Sequence, residues 1–213
     1  MDQFVHYTHA ASGIIIALTG LLQIILPKHG PKHRLIGKIY FFSWFGVVIT
    51  GSIMGAFLIT LFGIFGLYMA ITGVRYAQRK SIVATIFDKI IIYIGMLSSL
   101  FIWLFAAYLA YYEIWVFAII SAVFGYLFSN TTIEDLRCSI LGQEIRKISG
   151  HKMEWYLEHL TRMYISYLAA MTAFSVIQNL FKHPLANWLA PIGIGIVLIT
   201  ITRKKYEKQY NIE

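Results

Sequence analysis

The seven histidines are the residues of this chain best suited to chemistry, because imidazole is the commonest protein ligand for heme iron and transition metals. His33 and His159 each stand at the start of a long apolar segment, which predicts that the two side chains lie at the same depth in the membrane on two facing helices. His6 and His9 are three residues apart and would share one helix face. This pattern predicts a heme b or metal site, with His33 and His159 as the inner ligands and His9 as an outer ligand.

Two other interpretations of the histidines stay open. The histidine ring has a polar edge that can contact water and an apolar side. Histidines are therefore stable in the headgroup region even when they bind no metal or heme. Alternatively, His33, His151 and His159 could bind a divalent metal such as zinc, leaving an open position for a hydrolytic water. Glu154 and Glu158 lie beside this set, although acids at a helix start also suit the helix dipole.

The composition indicates a membrane protein. The chain has 213 residues, of which 58% are hydrophobic and only 13% are charged, whereas soluble domains carry about 25% charged residues. The net charge of +8 is divided among breaks between apolar runs, a pattern typical of membrane topology and not of nucleic-acid binding. The single cysteine, Cys138, excludes an intrachain disulfide and a cysteine-based zinc site. The start Met-Asp-Gln lacks the basic region of a cleavable signal peptide.

The apolar segments predict an all-α, polytopic bundle of seven transmembrane helices in one domain, residues 1–213. A crossing needs about 20 apolar residues, so the run from 35 to 76 must contain two helices, divided near 54–57. Residues 134–156 are predicted to form a partly helical interfacial connection. The seven spans are predicted at 9–26, 35–54, 58–77, 89–112, 114–133, 157–180 and 184–202.

The basic residues predict the orientation of these helices. Of the 18 Lys and Arg residues, all except Lys182 fall on one side when successive connections alternate between the two faces. The positive-inside rule makes that side cytoplasmic, with the N-terminus outside and the C-terminus inside. We therefore expect a multi-pass protein of the inner (cytoplasmic) membrane, in contact with lipid.

We expect the seven spans to bury no Asp, Glu, Lys or Arg. Buried ionisable groups are typical of proton pumps and ion-coupled carriers, so this expectation argues against those classes. It also places any chemistry near a membrane surface.

Two stretches carry a resemblance to a known family. The first reads His9-x-x-x-Gly13, Thr19-Gly20-x-x-Gln23 and His33-Arg34-x-x-Gly37-x-x-Tyr40. The second reads Trp155-x-x-x-His159-x-x-Arg162-Met163, then Tyr167-x-Ala169-Ala170-x-Thr172-Ala173-Phe174. Together they resemble a bacterial membrane-protein family catalogued as a domain of unknown function, the 2306 family. The resemblance implies a multi-helix integral membrane protein without an established activity.

Three hypotheses for function follow. The first is a heme- or metal-binding membrane redox protein, and with no histidine in the fourth and fifth spans it would hold at most one bis-histidine heme b. The second is a non-catalytic component, such as a small transporter, a sensor or a partner subunit, in which Arg34 and Arg162 contact an anionic lipid or ligand at a cytoplasmic basic rim. The third is a zinc-dependent membrane hydrolase. A homo-oligomer or a partner subunit is compatible with all three.

Overall fold

The computed structural model describes residues 3–55, 57–145 and 150–211, and within them it contains seven long helices and no strand. Each helix is long and apolar enough to cross a membrane, which confirms the predicted all-α, seven-helix architecture and indicates a multi-pass membrane protein. The helices α1 to α7 span Gln3–Ile25, Gly30–Ile53, Phe57–Arg79, Ile86–Tyr111, Trp115–Asp135, Glu154–Gln178 and Pro184–Gln209.

The helices extend beyond most of the predicted spans. The first starts at Gln3 instead of residue 9, and the last continues to Gln209 instead of 202. Hydropathy detects only the apolar middle of a helix, whereas the hydrogen-bonded ladder continues into the interface on either side. The predicted division between the second and third helices is confirmed, because α2 ends at Ile53 and α3 begins at Phe57.

The predicted connection 134–156 starts differently from the expectation. The fifth helix continues to Asp135, and a π-helical turn, Leu136–Ile140, extends it further. Residues 146–149 of this connection lie outside the described residues. Polar Ser129 to Thr132 are therefore helical, and Asp135, the last residue of α5, lies inside the bundle with its side chain fully buried.

Three helical hairpins surround the third helix. α1 packs on α2, α4 on α5 and α6 on α7, while α3 contacts α2, α4 and α6. In lipid, helices associate through close packing, because the tails are as apolar as the side chains. Gly66 of α3 illustrates this, since a Cβ there would lie 2.3 Å from the ring of Trp44 on α2. The two helices therefore touch at this depth.

Successive helices run in opposite directions, so the bundle has two chemically different ends. At one end of the bundle, α1, α3, α5 and α7 finish and α2, α4 and α6 begin. We call this the basic end. It carries Lys28 between α1 and α2, Arg79 at the end of α3 and Lys208 at the end of α7. Its assignment to the cytoplasm stays a prediction.

Candidate functional site

A cavity of about 970 Å³ opens at the basic end, with walls from α1, α2, α3 and α6 and from the first turns of α4. Its walls are mainly aromatic and aliphatic, with a few polar groups, as in sites for small molecules and cofactors. The described residues that line it include His33, Arg34 and His159 of the predicted site, but not His9, His151 or Arg162.

The two lining histidines lie at equal depth on facing helices. Tyr40 Oη and Ser166 Oγ form a buried hydrogen bond of 2.7 Å between α2 and α6. Tyr40 follows His33 by seven residues and Ser166 follows His159 by seven, so each histidine lies two turns, roughly 10 Å, nearer the basic end. The two rings are also electrostatic neighbours. The starts of α2 and α6 thus face each other across the cavity, as the sequence predicted.

The tautomer of His159 is set by the third helix. Its Nδ1 lies 2.8 Å from the carbonyl oxygen of Gly73, and because a carbonyl only accepts, Nδ1 carries the proton. The lone pair is therefore on Nε2, the nitrogen that commonly binds a metal when Nδ1 donates to a backbone carbonyl. A Cβ on Gly73 would lie 3.1 Å from both Arg162 Cβ and Met163 Sδ, so glycine permits this close approach of α3 and α6.

The surroundings of His33 leave two buried polar atoms without a protein partner. Gln23 of α1 donates from Nε2 to the backbone oxygen of His33 at 2.7 Å. In the described part of the chain, Gln23 Oε1 and His33 Nδ1 are both buried and make no hydrogen bond. Such orphaned atoms are costly in a folded protein and usually indicate a bound water or ligand. Both residues line the cavity, so these atoms mark its polar corner.

Lys28 adds a positive charge beside both histidines. Its Nζ donates to the last carbonyls of α1, Gln23 O at 2.8 Å and Ile24 O at 2.9 Å, and lies 5.8 Å from the ring centroid of Tyr164. Burial lowers the pKa of Lys28, and the nearby Lys205 lowers this pKa further. The ammonium group lies close enough to His33 and His159 to act electrostatically on each.

Arg162 does not contact the cavity, and the prediction that it binds an external ligand or lipid is wrong. Its guanidinium is buried, pairs with both carboxylate oxygens of Asp135, and donates to Thr72 Oγ1 at 2.9 Å. Glu158, one turn earlier on α6, approaches Arg162 Nε at 3.6 Å. Through its two terminal nitrogens, which donate to Asp135 and Thr72, Arg162 holds α3, α5 and α6 together.

The expectation that no charged side chain is buried in the spans is also wrong. Asp135 is 0% exposed and Arg162 is 3% exposed. Tyr68 donates to Asp135 Oδ2 at 2.5 Å, and Tyr76 donates to Oδ1 at 3.1 Å. Asp135 escaped notice because it follows the predicted fifth span, whereas Arg162 lies inside the predicted sixth span and was counted with the surface cations. Buried charges of this kind persist when they are paired with an opposite charge and supported by further hydrogen bonds.

His9 belongs to the opposite end of the bundle. Its Nδ1 lies 2.9 Å from Thr50 Oγ1, and that hydroxyl donates its only proton to Gly46 O at 2.5 Å. His9 Nδ1–H therefore donates to Thr50. Because Thr50 follows His33 by 17 residues on α2, roughly 25 Å of helix separate His9 from the inner pair. His9 therefore lies apart from the inner pair, and its role as an outer ligand stays a prediction.

His151 lies just before α6 and does not join the other two histidines. Its Nδ1 accepts the backbone N–H of Met153 at 3.1 Å, while Glu154 Oε2 accepts that of Gly150 at 3.0 Å. Within residues 3–55, 57–145 and 150–211, no group of three or more His, Cys, Asp or Glu side chains is arranged to hold a metal ion. The zinc site stays a prediction from the sequence.

Some residues of the site escaped the sequence reasoning. In the sequence, Lys28 was interpreted only as one of the basic residues that set the membrane orientation. Gly73 was interpreted as a small residue that permits close helix packing. Only the crossing of α3 and α6 turns the Gly73 carbonyl into a partner for His159. Gln23 and Tyr40 were visible in the motifs, although without assigned roles.

No protein-family model, curated protein or solved structure matches this chain. The resemblance to the 2306 family therefore stays a prediction.

Proposed function

We propose that this membrane protein binds heme b in the cavity at the basic end, with His33 and His159 as the two axial ligands. The observation that carries this proposal is the equal depth of the two histidines on parallel, facing helices above the Tyr40–Ser166 hydrogen bond. Bis-histidine heme sites in helical bundles need this arrangement of two imidazoles across one apolar space.

The hydrogen bonds of the two residues support a ligand role. His159 already has its Nδ1–H fixed on Gly73 O, so Nε2 is the nitrogen free to bind iron. The backbone oxygen of His33 accepts a hydrogen bond from Gln23 Nε2, which fixes the backbone at this position. The buried Nδ1 of His33 lacks a protein partner, as expected where a bound group or an ordered water completes the site.

The remaining walls suit the amphipathic shape of heme b. Tyr164, Tyr167 and Met163 of α6 offer apolar contact area, and Gly20 lets the Tyr167 ring pack closely against α1. Lys28 supplies a cation at the side of the histidines for the carboxylates of the macrocycle. The volume of about 970 Å³ is at the upper end of the range for cofactor sites.

When bound, heme b supplies one-electron chemistry. His33 and His159 would each give an imidazole nitrogen to the iron, which would favour electron transfer over the binding of oxygen. The positive charge of Lys28 beside the site would favour the reduced form of the heme. The Gly73 carbonyl opposes this effect by making His159 a more basic ligand.

The absorption spectrum of the purified protein tests this proposal. Protein prepared in mild detergent from heme-replete cells should show a Soret band that shifts on reduction with dithionite, with about one heme per chain. Protein from heme-starved cells serves as the control, and it should gain the same spectrum when hemin is added. A colourless preparation that also takes up no added hemin would refute the proposal.

A further inference from the structure

We propose that the part of the cavity between α2 and α3 binds an anionic phospholipid, whose headgroup lies at Arg34, Lys38 and Lys80. One acyl chain would follow Phe41 and Phe45 toward the middle of the bilayer. This lipid site is separate from the histidine side of the cavity and does not depend on the proposed heme.

The second helix contributes two adjacent stripes to the cavity wall. His33, Gly37 and Tyr40 form one stripe at helical spacing, facing α1 and α6. Arg34, Lys38, Phe41 and Phe45 also line the cavity and form the neighbouring stripe, about 100° further round the helix. The cavity therefore extends around α2 into a second compartment, which we call the outer lobe.

The outer lobe is polar at one end and apolar at the other. Arg34 and Lys38 lie in its upper part, and Phe45 lies roughly 16 Å deeper along the helix than Arg34. The opposite wall comes from Ile71 and Val74 of α3. At the depth of Trp44 and Gly66, α2 and α3 are in close contact along the neighbouring stripe of α2. A cationic top above an apolar groove matches the polarity of a phospholipid.

The outer lobe is open to the bilayer at its side. Phe42 and Phe87 line the cavity, yet their side chains are 67% and 55% exposed. Both residues lie within helices that can span the membrane, so their exposed surfaces face lipid tails. A lipid could therefore enter sideways without leaving the bilayer.

The charges of the lobe select an anionic headgroup. The described residues that line the cavity include five cations and no Asp or Glu. Arg75 is paired with Asp88 at 2.7 Å, whereas Arg34, Lys38 and Lys80 make no ion pair with any described residue. Clustered basic residues of this kind bind anionic headgroups, which are enriched in the cytoplasmic leaflet where the sequence places this end.

Native mass spectrometry of the full chain would test the site. Wild-type protein is titrated with phosphatidylglycerol and, separately, with phosphatidylcholine of the same acyl chains. The expected result is tighter binding of phosphatidylglycerol. The double variant Arg34→Gln/Lys38→Gln should lose about thirty-fold in affinity for it, because each cation near an anionic headgroup contributes about a fivefold factor.

A matched double variant controls for charge alone. Lys32 and Lys89 are exposed at the same end and do not line the cavity, so Lys32→Gln/Lys89→Gln should leave the affinity nearly unchanged. The charge-conserving Arg34→Lys/Lys38→Arg variant should restore most of the binding. Inorganic phosphate should not compete at equal concentration, because it lacks the acyl chain. Equal binding of the two lipids by the wild type, or an equal loss in both glutamine variants, would overturn the proposal.

Discussion

Replacing Arg162 with methionine is expected to lower the free energy of unfolding by about 3–5 kcal/mol, because buried Asp135 would lose its guanidinium partner. The side chain joins α6 to Asp135 of α5 and to Thr72 of α3, and it lies almost wholly out of contact with solvent or lipid. The effect can be measured by equilibrium unfolding in mixed detergent micelles. The matched control is Arg34→Met, which removes an exposed cation and should change the free energy by less than about 0.5 kcal/mol.

A double variant separates the pair from the individual side chains. Asp135→Asn/Arg162→Met removes both charges, so it should cost less than the sum of the two single changes, with a coupling on the order of 2 kcal/mol. Additive single effects, or an Arg162→Met protein as stable as Arg34→Met, would show that the ion pair does not hold the bundle together.

Alanine at either lining histidine is expected to remove most of the bound heme. His33→Ala and His159→Ala each delete one axial ligand, so the heme recovered per chain should fall about tenfold or more, given that loss of even an outer partner of a metal ligand typically costs 10–100-fold. Recovery is measured by the pyridine hemochromogen absorbance against protein concentration. Added imidazole should restore the spectrum of a His159→Gly protein by supplying the missing nitrogen.

The other histidines provide internal controls for this experiment. His151→Ala removes an acceptor of the Met153 backbone N–H at the same end, and His9→Ala removes a ring at the opposite end. Both variants should keep the heme content of the wild type. A loss of heme in all four single alanine variants would mean that folding, and not ligation, had been disturbed.

The sequence was sufficient to predict the fold class and the number of helices. Hydropathy marks apolar segments of membrane length, and Pro31, which has no N–H to donate, fits the first turn of α2 where none is needed. The facing positions of His33 and His159 also followed from their places at two helix starts on one side. Helix ends were less predictable, since polar residues such as Asp135 continue a helix without raising its hydropathy.

The interior of the site depended on helix order, which no single sequence reveals. Asp135 and Arg162 are 27 residues apart and become partners only because the packing of the bundle brings the end of α5 against α6. The outer lobe likewise depends on packing, because residues of α2 and α3 that are far apart in the sequence line one cavity at the basic end. Counting charges by segment assigned Arg162 to the surface, and only the packing places it inside.

The most direct test of heme ligation by His33 and His159 is the electron paramagnetic resonance spectrum of the oxidised, purified protein. Two imidazole ligands impose a strong ligand field, so the spectrum should be that of a low-spin ferric heme, and it should become high-spin in His33→Ala or His159→Ala protein that retains some heme. A wild-type spectrum that is high-spin, or that contains no heme signal after loading with hemin, would contradict the assignment of these two histidines.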